Sequence, residues 1–426
     1  MSHTPIGINE RPELKRWIPL SFQHVFAMFG ATVLVPLLTG LNPSTALFTA
    51  GIGTLIYIVI TKGKVPAFLG SSFAFIGPII AISAGFGVEY AMGAAFITGL
   101  FYCLVALIIT KTGISWLDKV LPPVVIGSVI MVIGLNLAPV AMNQSMYDAA
   151  GNYSLSHVLI AAVTLGIAVV SSLILRGFFT VIPILISIIG GYLFTLLMGS
   201  MFESFQLIEF SSVQSANWFG LTVFQAPKFA IVPVVTFLIV SLATMAEHLG
   251  DIMVAGKVVG KDFYKDPGLH RTLAGDGVAT AFASLFGGPP NTTYGENIGV
   301  MAISKVYSVW VIGGAAVIAA VLSFIPKVGA IIQTIPGPVM GGVSMMLFGI
   351  IASAGIRTVV ESGVDYACKR NLTISSVILV VGIGGGQLLF PITEGLVFDL
   401  SGVALATLIG IFLNLLLPKS MNESTD

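Results

Sequence analysis

The chain has 426 residues, 56% apolar and only 9% charged, with 19 basic and 19 acidic side chains giving a formal net charge of zero. So few charges cannot cover a water-facing globular surface, so the chain is expected to be solvated mainly by lipid. Without an acidic or basic tail, nucleic acid and acidic macromolecules drop out as targets.

The first stretch, MSHTPIGINERPELKRWIPL, is polar and lacks a short apolar core followed by a small-residue cleavage site, so no removable signal peptide is expected. Apolar runs long enough to cross a bilayer core of about 30 Å as helices then recur with short interruptions. About fourteen spans are expected, over residues 18–38, 44–61, 66–84, 88–110, 121–141, 155–175, 178–199, 229–255, 272–288, 290–305, 306–325, 330–355, 371–389 and 398–417. Alternating them from a cytoplasmic start puts nearly every basic residue, from Arg11 to Lys419, inside, and only Lys228 and Lys327 outside. Both termini are therefore expected in the cytoplasm. Of the longer polar interruptions, 200–228 contains SFQLIEFSS, whose alternation suits a small hairpin, and 256–271 is a basic cytoplasmic loop.

The first span carries Gln23 and His24 near its cytoplasmic end. Two readings stand for them: interfacial groups, or groups that shape or gate a site. The third span contains GSSFAFIG (Gly70–Gly77) and the tenth NTTYGENIG (Asn291–Gly299), each with two hydroxyls, an aromatic and small residues. The fifth and twelfth spans open on PPVVIGSVIM and GPVMGGVSMM. In both pairs the offset is seven spans, an odd number, so the halves would insert with opposite orientation as an inverted repeat.

Backbone polar groups survive in hydrocarbon only where protein or an aqueous cavity covers them, so SSFAF and TTYGE are expected to be broken helices with short β segments that meet mid-membrane. A helix restarting there offers amide donors around Phe73 and Gly295, with Ser72 and Asn297 in support. The competing reading gives Gly295 and Gly299 to close helix packing. Glu296 fits that reading poorly, because an ionisable group at that depth is costly.

The eighth span carries ATMAEHLGDIMVAGK, in which Glu247 and Asp251 stand four apart on one helical face and His248 turns about 100° away. Poor solvation and like-charge repulsion both oppose two charges there, which makes the pair a candidate proton carrier, with His248 beside it. No second His or Cys stands at ligand spacing from His248, so no metal or cofactor is expected. Cys103 and Cys368 read as structural, with no sequence support for a disulfide between them. No nucleophile–base pair or phosphate-binding glycine loop argues for an enzyme.

Together GSSFAF, AEH, DPGLHR and NTTYGENIGVMAI make the chain resemble the nucleobase/ascorbate transporter family over nearly its whole length. Gln23–His24 and the motif ENIGVMAIS, Glu296 to Ser304, are further marks, although the last position of that motif is more often Thr. The resemblance is to the uracil-type branch, since the xanthine and urate branch usually has Gln where Glu296 stands. It implies an all-α polytopic membrane protein with fourteen segments in two inverted repeats. Residues 1–120 and 229–325 would form a core, and 121–228 and 326–420 a gate, with 421–426 a polar tail. It implies that Glu247 and Glu296 bind the pyrimidine with the amides of Phe73 and Gly295 and the rings of Phe73 and Tyr294. It further implies proton-coupled uracil uptake by alternating access across the cytoplasmic membrane, and a homodimer formed through the gate. The family pattern often reads AEHxGH, and here Asp251 replaces the second His. A xanthine or urate symporter, and more distantly an anion exchanger or channel of the same architecture, are the alternatives.

Overall fold

The computed structural model describes residues 5–176, 179–180, 182–220, 224–393 and 396–418. Lys419, the tail 421–426 and the expected start of the seventh span at 178 lie outside them. The described chain is mostly helical. Helix α1 is Leu14–Thr39 and α2 is Pro43–Ile60, begun by Asn42, whose Oδ1 accepts from the Ser44 amide at 2.8 Å. Strand β1 (Leu69–Ser71) leads through a 3₁₀ turn, Phe73–Phe75, into α3 (Ile76–Gly85). Then come α4 (Val88–Thr112), α5 (Ser115–Val120), α6 (Pro123–Asn136), α7 (Ala138–Met146), α8 (Leu155–Ile174), α9 (Pro183–Gly199) and α10 (Ser211–Ser215). The second half holds α11 (Ile231–Val259), α12 (Leu269–Leu285), β2 (Asn291–Thr293), α13 (Gly295–Ser304), α14 (Val309–Leu322), α15 (Pro326–Gln333), α16 (Gly337–Glu361) and α17 (Lys369–Ile383). It closes with β3 (Gln387–Thr393), β4 (Leu396–Ser401) and α18 (Gly402–Leu416).

Most expected spans overlap one helix or a strand–helix pair, whereas 121–141 falls on α6 and α7, 330–355 runs from α15 into α16, and 371–389 reaches from α17 into β3. Seven described helices are long and apolar enough to cross a membrane, or up to eight when α14 and α15, bent by 85° at their junction, count as one. The twelfth element starts at Gly337 rather than 330, because Pro336 precedes the helix and Pro338 sits in its first turn, where no amide donor is missed. Exposed leucines run along α4 at 100, 104 and 107 and along α9 at 193 and 197, the apolar faces that a bilayer would solvate. The expected hairpin in 200–228 is not found among its described residues, which instead form a 3₁₀ turn, Glu203–Phe205, and the short helix α10. The alternating stretch was too short to specify strands against local helical turns. A hairpin forms elsewhere, where β3 pairs antiparallel with β4 at the start of the last helix.

The packing has the symmetry the repeat requires. Helix α4 lies on α12, and its repeat mate α14 lies on α2. Small residues allow both contacts: a Cβ on Gly277 would sit 2.6 Å from the Gly99 carbonyl, and one on Gly51 would sit 2.8 Å from the Ala320 amide. Helices α6 and α16, which carry the two P-V-x-x-G sequences, cross at Gly127, Gly134 and Gly355. Strand β1 pairs antiparallel with β2 in the register Leu69–Thr293, Gly70–Thr292 and Ser71–Asn291. Antiparallel pairing of two equivalent strands is what a two-fold axis between the halves produces. These observations make the chain an all-α polytopic protein built from an inverted repeat, with both broken segments at its centre.

Candidate functional site

The strand pair holds the restarting helices in place. The Ser72 amide donates to the Pro290 carbonyl at 2.9 Å, and the Tyr294 amide donates to that of Phe68 at 3.0 Å. Tyr294 lays its ring across Gly70 and donates its hydroxyl to the Ser71 carbonyl at 3.1 Å, while Thr32 of α1 donates to that hydroxyl at 3.3 Å. Phe73 begins the 3₁₀ turn and Gly295 begins α13, so their amides are among those a helix start leaves without intrahelical acceptors.

A cavity of about 400 Å³ opens beside them. Glu247 and Asp251 reach it from α11, Glu296 from the first turn of α13, and Phe73, Tyr294 and Gly295 from the broken segments. Ile130 of α6 and Ile350, Ile351 and Ser353 of α16 form the facing wall. The glycines are not packing devices here. Gly295 and Gly299 face the cavity, and a Cβ on Gly299 would meet nothing within 4 Å.

The three acids differ in their partners. Asp251 Oδ2 accepts from Thr293 Oγ1 at 2.8 Å, whereas Glu247 Oε2 is buried with no hydrogen-bond partner. Lys257, the nearest base along α11, is committed to Glu361 of α16 at 3.1 Å, and the base that lines the cavity with the acids is Arg357 of α16. Unpaired acids at such a depth are offset by protons or by a neutral guest rich in N–H groups. Among the described residues no group of three or more His, Cys, Asp or Glu is arranged to hold a metal.

Five of the expected residues lie outside the cavity lining. Asn297 is buried and donates from Nδ2 to the His24 carbonyl at 3.3 Å and to His24 Nδ1 at 3.1 Å, which ties α13 to α1 and puts the imidazole proton on Nε2. Ser72 is fully buried with its hydroxyl unpartnered. His248 points away from the cavity and faces Asp276 of α12 at 3.4 Å, both side chains being buried. Gln23 is half-buried on α1. Sequence reasoning missed Asp276, Thr293 and the α16 wall. Asp276 was detectable as a lone acid inside the apolar run TLAGDGVATAF. The wall was not, because it is made of ordinary aliphatic residues.

The model of the permease family matches residues 15–389 of this chain. The chain is 52% identical over 431 residues to the uracil permease of Bacillus subtilis (strain 168), covering 99% of this chain and 97% of that protein. It is 46% identical over 418 residues to the uracil permease of Escherichia coli (strain K12), covering 98% and 94%. Its fold is similar to the transmembrane domain of a cyanobacterium bicarbonate transporter, BicA, with a TM-score of 0.61 and 16% identity over 82% of this chain and 96% of that one. It is also similar to the murine anion transporter Slc26a9 in the inward-facing state, with a TM-score of 0.68 and 11% identity over 96% and 69%. The chain belongs to the permease family and is a multi-pass membrane transport protein.

Proposed function

We propose that this permease-family chain takes up uracil together with protons across the cytoplasmic membrane, as a secondary active symporter working by alternating access. The observation that carries the reading is the pairing, around one 400 Å³ cavity, of Glu247 and Glu296 with the helix-start amides of Phe73 and Gly295. Uracil is flat and neutral, with two ring N–H donors and two carbonyl acceptors. The carboxylates accept from its N–H groups, the amides donate to its carbonyls, and the Phe73 ring covers its face. The names of the two bacterial relatives support the same substrate. An anion, as carried by the proteins of similar fold, would meet Glu247, Asp251 and Glu296 in this cavity against one base, Arg357.

In this reading Glu247 and Asp251 carry the coupling proton. Helices α1–α4 and α11–α14 form the moving core and the remaining helices the gate. Arg357 and Glu361 line one end of the cavity, which the positive-inside bias makes the cytoplasmic end. The homodimer through the gate rests on the family resemblance alone. The test is uptake of radiolabelled uracil into proteoliposomes under an imposed pH gradient. Uptake that follows the gradient, collapses with an uncoupler and is outcompeted by uracil rather than xanthine or urate supports the reading. Stronger competition by the purines would transfer it to a purine symporter.

A further inference from the structure

A second cavity, of about 450 Å³, lies on the other side of Phe73. It is lined by Ala74 and Gly77 of the first broken segment, Ile133 and Asn136 of α6, Thr236 and Val240 of α11, and the start of α18. The two cavities use opposite stretches of the same helices. On α11 the second ends at Val240 and the first begins at Glu247, a separation of about 10 Å along the axis. On α6 the change falls between Ile133 and Ile130, about 4.5 Å. Among the described residues Phe73 is the one side chain that lines both.

There Phe73 meets Phe348 of α16. Their ring centroids lie 6.3 Å apart at 77°, an edge-to-face contact, and the residues are 5% and 2% exposed. Each ring is held by its own body. Phe73 follows β1, which is pinned to β2, whereas Phe348 sits where α16 crosses α6 so closely that a Cβ on Gly134 would lie 2.7 Å from the Ala352 amide. The contact therefore lies between the pinned broken segment and the α6–α16 crossing, beside the packing of α11 on α6 and α18.

We propose that the second cavity is the opposite vestibule of the permeation route and that the Phe73–Phe348 contact is the seal between the vestibules. This rests on the transport reading but not on uracil being the cargo. An edge-to-face pair has no hydrogen bonds to break, so it parts without leaving a buried polar group unsatisfied. A flat ring bound against Phe73 lies beside the seal and meets it on every crossing.

The test uses the full chain with Cys103 and Cys368 replaced by Ser, reconstituted in proteoliposomes, with one new cysteine at Ser353 (first cavity) or at Thr236 (second). A membrane-impermeant charged thiol reagent is added from one side at a time. We expect Ser353→Cys to react mainly from one side and Thr236→Cys mainly from the other. Adding Phe348→Ala should raise the rate at Ser353→Cys from the Thr236 side at least tenfold, whereas Phe348→Trp should not raise it. If Phe348→Ala does not insert, Phe348→Val must raise the same rate at least threefold. An unchanged rate in the inserted variant, or both cysteines reacting from the same side in the parent, overturns the proposal. The readout needs no substrate, so loss of the uracil reading with these rates intact leaves the seal standing, and proven uracil uptake with flat rates removes the seal alone.

Discussion

Thr293 donates its hydroxyl to Asp251 at 2.8 Å, so the strand preceding the restarting helix α13 is tied to the helix that carries Glu247. That bond links the two pieces of chain from which all three cavity acids come, which also pack directly on each other.

Thr293→Val keeps the shape of the side chain and removes the donor. We expect a loss of about 1–2 kcal/mol in stability, because an acid in the site loses its partner. Uracil uptake should fall as well, and Thr293→Ser should restore both. Thermal unfolding in detergent beside uptake in vesicles checks it, and a Val variant matching the parent in both counts against the tie.

Asp251→Asn retains size and hydrogen bonding but removes a titratable group from the proposed proton pair. Accumulation of uracil driven by a pH gradient should drop at least tenfold, while exchange of labelled for unlabelled uracil at equal pH continues. Gradient-driven accumulation at the parent's level would take Asp251 out of the coupling step.

Gly70 leaves room for the Tyr294 ring, since a Cβ there would come within 2.6 Å of the Tyr294 hydroxyl. Gly70→Ala must displace the ring and its bond to the Ser71 carbonyl, at a cost of about 1–3 kcal/mol. Adding Tyr294→Ala should relieve the crowding, so that the double variant is destabilised by less than the sum of the two single ones. Strict additivity would contradict the packing.

Two glycines separate cavity from packing. Gly277→Ala would set a methyl 2.6 Å from the Gly99 carbonyl and 2.7 Å from Tyr102 Cβ, wedging α12 from α4. We expect a poorly inserted, thermally labile protein. Gly299→Ala meets only open space, so the protein should fold as the parent does, with its effect confined to substrate affinity. Equal melting temperatures for the two variants would argue against this distinction.

Much of this arrangement was legible in the sequence, because lipid imposes strict rules on it. Any interruption of an apolar run has to be covered, so the hydroxyls, glycines and Glu296 of NTTYGENIG marked the broken segment before its strand partner was known. The odd offset of the repeats implied halves of opposite orientation, and the antiparallel pairing of β1 with β2 agrees with it. Helical periodicity put Glu247 and Asp251 on one face, and both line the cavity. Contacts between distant side chains with no local signal were not legible. Helical periodicity turned His248 about 100° from the acids, but nothing local named Asp276 on α12 as the group it would meet. Phe348 looks like any apolar residue of α16 until the fold sets it against Phe73.

Calorimetric titration of uracil into the purified protein, beside its Glu247→Gln and Glu296→Gln variants, addresses the central claim most directly. Each carboxylate should contribute one charge-assisted hydrogen bond, so the account predicts a clear binding heat in the parent and at least about tenfold weaker affinity in each variant. No heat in the parent, or undiminished affinity in either variant, would contradict it.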